Sequence, residues 1–109
     1  MIDISAVILL LILHTIMDFF FQTDSMAIKK STSNKWLLVH VSVYSIPFFF
    51  YGLAFWAVTF VTHMITDYVS CRISSYFWAK DDRHNFFCVI GVDQLVHVIC
   101  LLLTYYYFY

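Results

Sequence analysis

The sequence predicts an all-α membrane protein, a bundle of four transmembrane helices with both termini on the non-cytoplasmic side. Hydrophobic residues make up 62% of the 109 residues and charged residues only 12%. The apolar residues also form runs long enough to cross a bilayer, which needs about 20 residues per helix. A chain of this length forms one domain. The predicted helices cover about residues 3–22, 36–50, 53–77 and 86–107.

The first predicted helix is the apolar run Ile4 to Phe21, which is interrupted by His14, Asp18 and small hydroxyl residues. It begins without a basic segment and has no small-residue cleavage site, so it differs from a secretion signal. We therefore expect this segment to remain in the mature protein.

The middle run, Trp36 to Cys71, is too long for one crossing and short for two. A tight hairpin resolves this, with its turn between Ser45 and Leu53, where Pro47 and Gly52 favour chain reversal. The last helix follows from the run Phe86 to Tyr109, which has one acidic and no basic residue.

The basic residues predict the orientation. All six lie in or beside two loops on the same side of the four-helix arrangement: Lys29, Lys30, Lys35, Arg72, Lys80 and Arg83. Basic loops stay cytoplasmic, so we expect a multi-pass protein of the inner (cytoplasmic) membrane. The expected partners are membrane lipid and, as a further possibility, a second copy or a larger membrane protein. No basic patch interleaved with aromatics lies in a soluble segment, so nucleic-acid binding is not indicated.

Three of the predicted helices contain a histidine and an aspartate four residues apart, and the remaining helix contains one histidine. The pairs are His14/Asp18, His63/Asp67 and Asp93/His97, and the single histidine is His40. A spacing of four returns to the same helix face. At 1.5 Å per residue these groups lie roughly 8 to 18 Å from the cytoplasmic helix ends, so they share one level.

Histidine and aspartate at one level favour a site for a divalent transition metal (Zn, Mn or Fe), with one or two ions. The candidate ligands are His14, Asp18, His40, His63, Asp67, Asp93 and His97. A carboxylate left uncoordinated would be the general base, so Asp18, Asp67 and Asp93 are the catalytic candidates. The alternative is a network of interhelical hydrogen bonds that holds the helices together.

Further residues have possible supporting roles. Gln22 and Gln94 can orient a ligand or substrate, or can cap polar surface near a helix end. Substrate or lipid head groups could contact Lys30, Lys35 and Arg72, although the orientation rule also explains these cations. Hydroxyls in membrane helices usually bond to their own backbone, which is expected for Thr59, Thr66 and Ser70. Three cysteines without a Cys-x-x-Cys spacing indicate neither a disulfide framework nor a cysteine zinc site.

Together these motifs resemble a known family. The run from His14 to Asp24, the lysines after it, His40, the segment His63 to Asp67 and the segment Asp93 to His97 are similar to the small bacterial and phage membrane proteins grouped as domain of unknown function 3307. The resemblance covers nearly the whole chain, and Arg72 stands where a lysine is usual. It implies the set of polar residues but no reaction. A looser similarity to membrane-bound metal-dependent hydrolases with histidine and aspartate helix motifs implies hydrolysis.

Three functions remain open from the sequence. The first is a metal-dependent hydrolase of a lipid or phosphate-containing amphiphile, with its site open to the cytoplasmic leaflet. The second is a proton or metal-ion conductor, since ionisable residues inside a membrane often mark ion pathways. The third is a non-enzymatic membrane module, such as a small subunit or a phage envelope factor.

Overall fold

The computed structural model describes residues 3–23, 26 and 29–109. Within these residues the chain forms four α-helices and no strand, which confirms the all-α prediction. The helices are α1 (Ile4–Thr15), α2 (Asn34–Ser45), α3 (Leu53–Ala79) and α4 (Arg83–Phe108). Asp24, the last residue of the first motif, lies outside the described residues.

Helix α1 begins at a capping residue and ends in a π-helical turn. The Asp3 carboxylate accepts a hydrogen bond from the Ser5 backbone N–H at 3.0 Å, which satisfies one free donor of the first turn. The chain then widens into the π-helical turn Ile16–Phe20, closed by a bond from the Phe21 N–H to the Ile16 carbonyl. Single π turns are frequent at functional sites, and this one contains Asp18.

Helix α2 has only 12 residues, and the 3₁₀ helix Ile46–Tyr51 extends it. Pro47 lies in the first turn of this 3₁₀ helix, where the backbone N–H groups have no partner within the helix, so a residue without an N–H is tolerated. Gly52 follows with φ of 109°, a conformation that favours glycine, and α3 starts at the next residue. The reversal between α2 and α3 is therefore short.

Helices α3 and α4 are the long elements, with 27 and 26 residues, and they pack antiparallel. Asp82 caps α4, because its carboxylate accepts hydrogen bonds from the backbone and side-chain nitrogens of Asn85 at 3.1 and 2.7 Å. These bonds stabilise the ionised form and hold the pKa of Asp82 below its ordinary value.

The four helices close into a bundle with two unlike halves. Helix α1 packs on α4, α4 on α3, and α3 on α2, while α2 also contacts the π-helical turn. In the half near the α2–α3 turn the core is apolar and consists of Leu10, Tyr44, Phe48, Phe55 and Leu101. Buried histidine and aspartate side chains occupy the other half.

Only α4, among the described helices, is long and apolar enough to cross a membrane. The segment Ile4–Phe20 is apolar but shorter. The structure therefore confirms a four-helix, all-α protein and gives one candidate span, whereas the sequence predicts four.

Candidate metal centre

All four helical segments contribute to one buried polar cluster. Its members are His14 and Asp18 from the first segment, His40 from α2, His63 and Asp67 from α3, and Asp93 and His97 from α4. Each of the four histidines is at most 4% exposed, and Asp18 and Asp67 are equally buried. Asp93 is half-buried. The structure thus brings together all seven residues that the sequence singled out as candidate ligands.

Four of these side chains present one ligand atom each to a common point: Asp18, His40, His63 and Asp67. His40 Nε2 lies 3.0 Å from Asp18 Oδ1 and 3.1 Å from Asp67 Oδ2. His63 Nε2 lies 3.1 Å from the same Asp67 oxygen, 3.2 Å from His40 Nε2 and 3.7 Å from Asp18 Oδ1. A tetrahedral zinc site with bonds near 2.0 Å has edges of about 3.3 Å. These five separations, 3.0–3.7 Å, lie on either side of that edge length.

Hydrogen bonding alone accounts poorly for these contacts. Nε2 of His40 is within 3.2 Å of two carboxylate oxygens and of the facing Nε2 of His63. A ring nitrogen bears at most one hydrogen, so it cannot donate to all of these neighbours. A cation placed between the four atoms would instead accept a lone pair from each of the two ring nitrogens and the two carboxylate oxygens.

A second group consists of Asp18, Asp93 and His97. Asp18 belongs to both groups, and its two oxygens face different partners. Oδ1 faces His40, whereas Oδ2 accepts a hydrogen bond from Gln94 Nε2 at 3.0 Å. Three protein ligands beside an open position are typical of a catalytic metal site, whereas four protein ligands are typical of a structural one.

His97 connects the two groups. Its Nε2 lies 2.9 Å from Asp67 Oδ1 and 3.2 Å from Asp93 Oδ1, and its ring stacks on His63 with a centroid distance of 4.1 Å. A hydrogen on this nitrogen fixes the Asp67 carboxylate so that Oδ2 points to the first group. His97 can therefore orient a ligand or serve as one.

His14 has a different environment from the other histidines. Gln94 Nε2 donates to Asp18 and Asp93, so Gln94 Oε1 accepts from His14 Nε2 at 2.8 Å. His14 Nδ1 then accepts the hydroxyl hydrogen of Tyr44, also at 2.8 Å. Both ring nitrogens of His14 are thus engaged, and the chain Tyr44, His14, Gln94 positions two carboxylates.

The π-helical turn explains why the first pair differs from the others. His63 and Asp67 approach to 3.1 Å, and Asp93 and His97 to 3.2 Å, but His14 Nε2 and Asp18 Oδ2 are 3.9 Å apart. The wider turn around Asp18 shifts this carboxylate relative to an ordinary α-helical position. Asp18 consequently meets His40 across the bundle rather than His14 on its own helix.

Carboxylates outnumber ammonium groups in the described cluster. Three carboxylates, Asp18, Asp67 and Asp93, face one ammonium group, since Lys30 Nζ lies 3.5 Å from Asp67 Oδ2. With neutral imidazoles the carboxylates exceed the ammonium group by two negative charges. Buried charges require compensation, which one divalent cation or two protonated imidazoles would supply.

A cleft of about 550 Å³ opens beside the cluster at the end of the bundle with the basic loops. Asp18, Asp67 and Asp93 form its polar floor, whereas Phe19, Trp78 and Phe86 are among its apolar walls. This volume lies within the range of small-molecule sites, about 300–1,000 Å³. The candidate centre is therefore accessible to a ligand from the basic end.

The supporting residues predicted from sequence are placed differently with respect to this cleft. Gln22, Gln94 and Lys30 line it. Lys35 is exposed on α2, outside the lining, and Arg72 stacks on Tyr68 and bonds to Asn34. Of the three cations considered for substrate, Lys30 alone contacts the described cluster.

Sequence reasoning missed two residues of this site. Tyr44, which bonds to His14, lies four residues after His40, so the same-face spacing could have identified it. Ser70 was expected to bond to its own backbone, as Thr66 does, but it donates across to Asp93 of α4. No pattern in the sequence distinguishes the hydroxyl of Ser70 from that of Thr66.

His63 has a free group on the side away from the cluster. Among the described residues, neither His63 Nδ1 nor Thr59 Oγ1 has a hydrogen-bond partner. Both residues line a small cavity with room for about one water molecule. Such a water can accept from Nδ1, which leaves Nε2 free as a ligand atom.

Comparison with known proteins gives one match. Residues 6–109 match the family model described as "Protein of unknown function (DUF3307)", which confirms the resemblance found in the histidine and aspartate motifs. No curated protein and no solved structure matches the chain.

Proposed function

The chain belongs to the DUF3307 family, and from its buried cluster we propose that it is a membrane protein with a divalent transition-metal centre. We propose further that this centre hydrolyses a phosphate- or ester-containing amphiphile. The main support is the convergence of Asp18, His40, His63 and Asp67, which come from three different helical segments and whose ligand atoms approach one another to 3.0–3.7 Å in five of the six pairs.

The surface supports a membrane location. Large apolar side chains are exposed on all four helices, and only 11% of the most apolar stretch of α4 is buried inside the protein. Exposed apolar surface of this extent indicates contact with lipid or another protein. The long axis of the bundle measures 44 Å, which matches a bilayer with its head-group regions, about 40–45 Å. In this proposal the shorter segments complete a multi-pass arrangement around α4.

The two ends of the bundle support an orientation. At the loop end four cations lie over aromatic rings: Lys29 on Trp36, Arg72 on Tyr68, Lys80 on Tyr76 and Arg83 on Trp78. At the opposite end tyrosines cluster, with Tyr105 stacked on Tyr109. Aromatic belts mark both interfaces, and the basic end is the cytoplasmic one. The cleft would then open to the cytoplasmic leaflet.

The two candidate groups suit two roles. The first group is fully buried and offers four protein ligands, as in structural sites that fasten helices together. The second group offers three ligands, and Asp93 lies at the cleft. A divalent ion there would polarise the scissile group and lower the pKa of a water molecule. We assign the reaction to this second position.

The protein side chains supply the remaining chemistry. Gln94 holds Asp18 and Asp93 in place through its amide hydrogens. The ammonium of Lys30 projects into the cleft, where it can pair with a substrate phosphate. Asp93 is the most exposed of the three carboxylates, and together with Asp18 and His97 it would hold the ion at the cleft.

Metal analysis of the purified protein tests this proposal. We expect one or two equivalents of zinc, manganese or iron in the wild type and loss of the equivalent held by the first group in His63→Ala plus Asp67→Ala. The matched control is His84→Ala plus Asp81→Asn, a histidine and an aspartate outside the cluster. Absence of stoichiometric metal in the folded wild type, or full retention in the double variant, would disprove the metal centre.

A non-enzymatic membrane module is the second candidate, and the fully coordinated first group favours it. Asp93→Asn separates the two functions. The hydrolase proposal predicts that this variant keeps the first ion and loses metal-dependent cleavage of long-chain nitrophenyl phosphates and esters. A module would keep one ion and cleave none of these substrates even as wild type. The apolar core of Leu10, Phe48, Phe55 and Leu101 fills the far half and argues against an ion conductor.

A further inference from the structure

An apolar groove of about 440 Å³ runs along the outside of α3 and α4. Its walls include Val69 and Ile73 from α3 and Cys88, Val92 and Val96 from α4. Along α3 it extends from Ile65 to Phe77, about 18 Å at 1.5 Å per residue. The groove is therefore long and mostly apolar, and its polar lining residues are Thr66, Ser70, Asn85 and Asp93.

The groove meets the polar cleft at a defined border. Ser70, Val89 and Asp93 line both spaces. At this border Ser70 donates its hydroxyl hydrogen to Asp93 Oδ1, which joins α3 to α4. Asp93 also belongs to the second candidate ligand group. These three residues lie midway along the groove, so a chain that occupies either half begins beside the proposed reacting position.

We infer that this groove binds one long alkyl chain of the amphiphile whose phosphate or ester head group occupies the cleft. This inference rests on the proposed function, and it adds the part of the substrate that the metal centre does not contact. Val69, Ile73, Cys88 and Val92 line only the groove, whereas Asp18, Asp67 and Lys30 line only the cleft. The order of apolar and polar surface matches that of a single-chain amphiphile.

Peptide occupants fit this surface less well. An extended peptide would leave its backbone N–H and C=O groups unpaired against valine and isoleucine walls. A partner helix packs closely where small residues let the backbones approach. The groove is lined instead by branched side chains, Ile65, Val69, Ile73, Val92 and Val96 among them. A flexible hydrocarbon chain needs neither hydrogen bonds nor small residues.

Photolabelling in nanodiscs tests the inference. The probe is a hexadecyl phosphate with a diazirine on the chain, present at a few mole per cent in phosphatidylcholine. We expect crosslinks at Val69, Ile73, Cys88 and Val92 to exceed those at Leu95 and Ile99 at least fivefold. Val92 and Leu95 are matched in exposure, at 60% and 58%, but only Val92 lines the groove. Equal labelling of the two would show ordinary surrounding lipid and overturn the inference.

Two variants and two competitors sharpen the test. Val92→Trp fills the groove and is expected to reduce the labelling at Ile73 at least fivefold, whereas Leu95→Trp leaves it unchanged. Unlabelled hexadecyl phosphate should compete at least tenfold better than either octyl phosphate or hexadecanol. Equal competition by hexadecanol would contradict the coupling of chain and head group.

The metal content of the same samples separates this inference from the proposed function. Val92→Trp should retain wild-type metal, because Val92 belongs to neither candidate ligand group. If wild type lacks metal but the groove is still labelled selectively, the metal proposal fails and the chain-binding groove stands. If metal is present and the labelling is uniform, the groove assignment fails alone.

Discussion

The two halves of the bundle are built on the same helices but are stabilised by opposite kinds of side chain. On α3, Phe55 packs in the apolar half, and His63 and Asp67 lie two and three turns further in the polar half. The apolar half is held together by the packing of hydrocarbon side chains, and the rings of Phe48 and Phe55 stack with a centroid distance of 6.1 Å. The polar half is filled by donors and acceptors that need particular partners.

This difference shows how each half responds to change. An apolar core tolerates swaps of similar volume, because any hydrocarbon surface can meet another. The carboxylates and imidazoles of the polar half need charge balance and defined geometry. Loss of a single ligand oxygen there is therefore expected to be more damaging than a small change of side-chain volume. Tyr44 lies at the boundary, since its ring stacks on His63 while it packs on Phe48 and its hydroxyl bonds to His14.

The largest effect is expected for Asp18→Asn. Asp18 belongs to both candidate ligand groups, so the substitution removes one charged ligand from each. We expect complete loss of stoichiometric metal, measured by elemental analysis of the folded protein. Asp82→Asn, which changes a carboxylate in the α4 cap outside the cluster, should keep the metal. If Asp18→Asn retains its metal, the polar half does not depend on this carboxylate, and the contrast with the tolerant apolar half fails.

Phe55→Ala tests the apolar half. Phe55 is 1% exposed, and deleting such a ring costs about 3 to 5 kcal/mol of unfolding free energy. The metal affinity of the fraction that remains folded should stay within about twofold of wild type. Phe50→Ala is the control, because Phe50 is 93% exposed. Reversible unfolding in detergent, combined with metal titration, measures both quantities.

Tyr44→Phe tests the boundary by removing only the hydroxyl. His14 then loses the hydrogen bond that fixes which ring nitrogen bears the hydrogen, and Gln94 loses a fixed partner. Metal affinity should fall about tenfold, as for other residues that orient ligands. Tyr105→Phe removes a hydroxyl from the apolar half and should leave affinity unchanged. Competitive titration with a fluorescent chelator measures the metal affinity of both variants. Equal affinities would contradict the role of the Tyr44–His14–Gln94 hydrogen bonds in positioning the carboxylates.

The smallest effect is expected for Lys30→Gln. Lys30 is 17% exposed and pairs with Asp67 at 3.5 Å, so it competes weakly with a cation for that oxygen. Metal affinity should rise about twofold to fivefold, whereas binding of hexadecyl phosphate should weaken. Lys35→Gln is the control on the exposed surface of α2. A fall in metal affinity would mean that Lys30 supports the site rather than opposing the ion.

The level of the polar residues could be predicted from sequence because an α-helix rises uniformly along its axis. Counting from the basic ends placed His40, His63 and Asp93 at one depth, and the structure brings them into one cluster. The partner of each atom could not be predicted, since it depends on side-chain rotation. His14 turns to Tyr44 and Gln94, although its spacing to Asp18 is the same as in the other pairs.

Helix lengths were also only partly accessible to sequence reasoning. The apolar composition of residues 36–50 suggested a continuous helix, but α2 ends at Ser45 and a 3₁₀ helix follows. Composition cannot distinguish these two geometries, because both bury the same hydrocarbon. The π-helical turn at Ile16–Phe20 is equally invisible, since it leaves the polar spacing unchanged.

That turn has a consequence for the regularity of the first helix. A π turn accommodates one residue more than an α turn. Removing Met17 would let α1 continue as an ordinary helix, with more favourable backbone hydrogen bonds and a displaced Asp18. Such a deletion would make the helix regular at the expense of the contact between Asp18 and His40. The irregular turn therefore places one carboxylate in the cluster at a cost to the regularity of the helix.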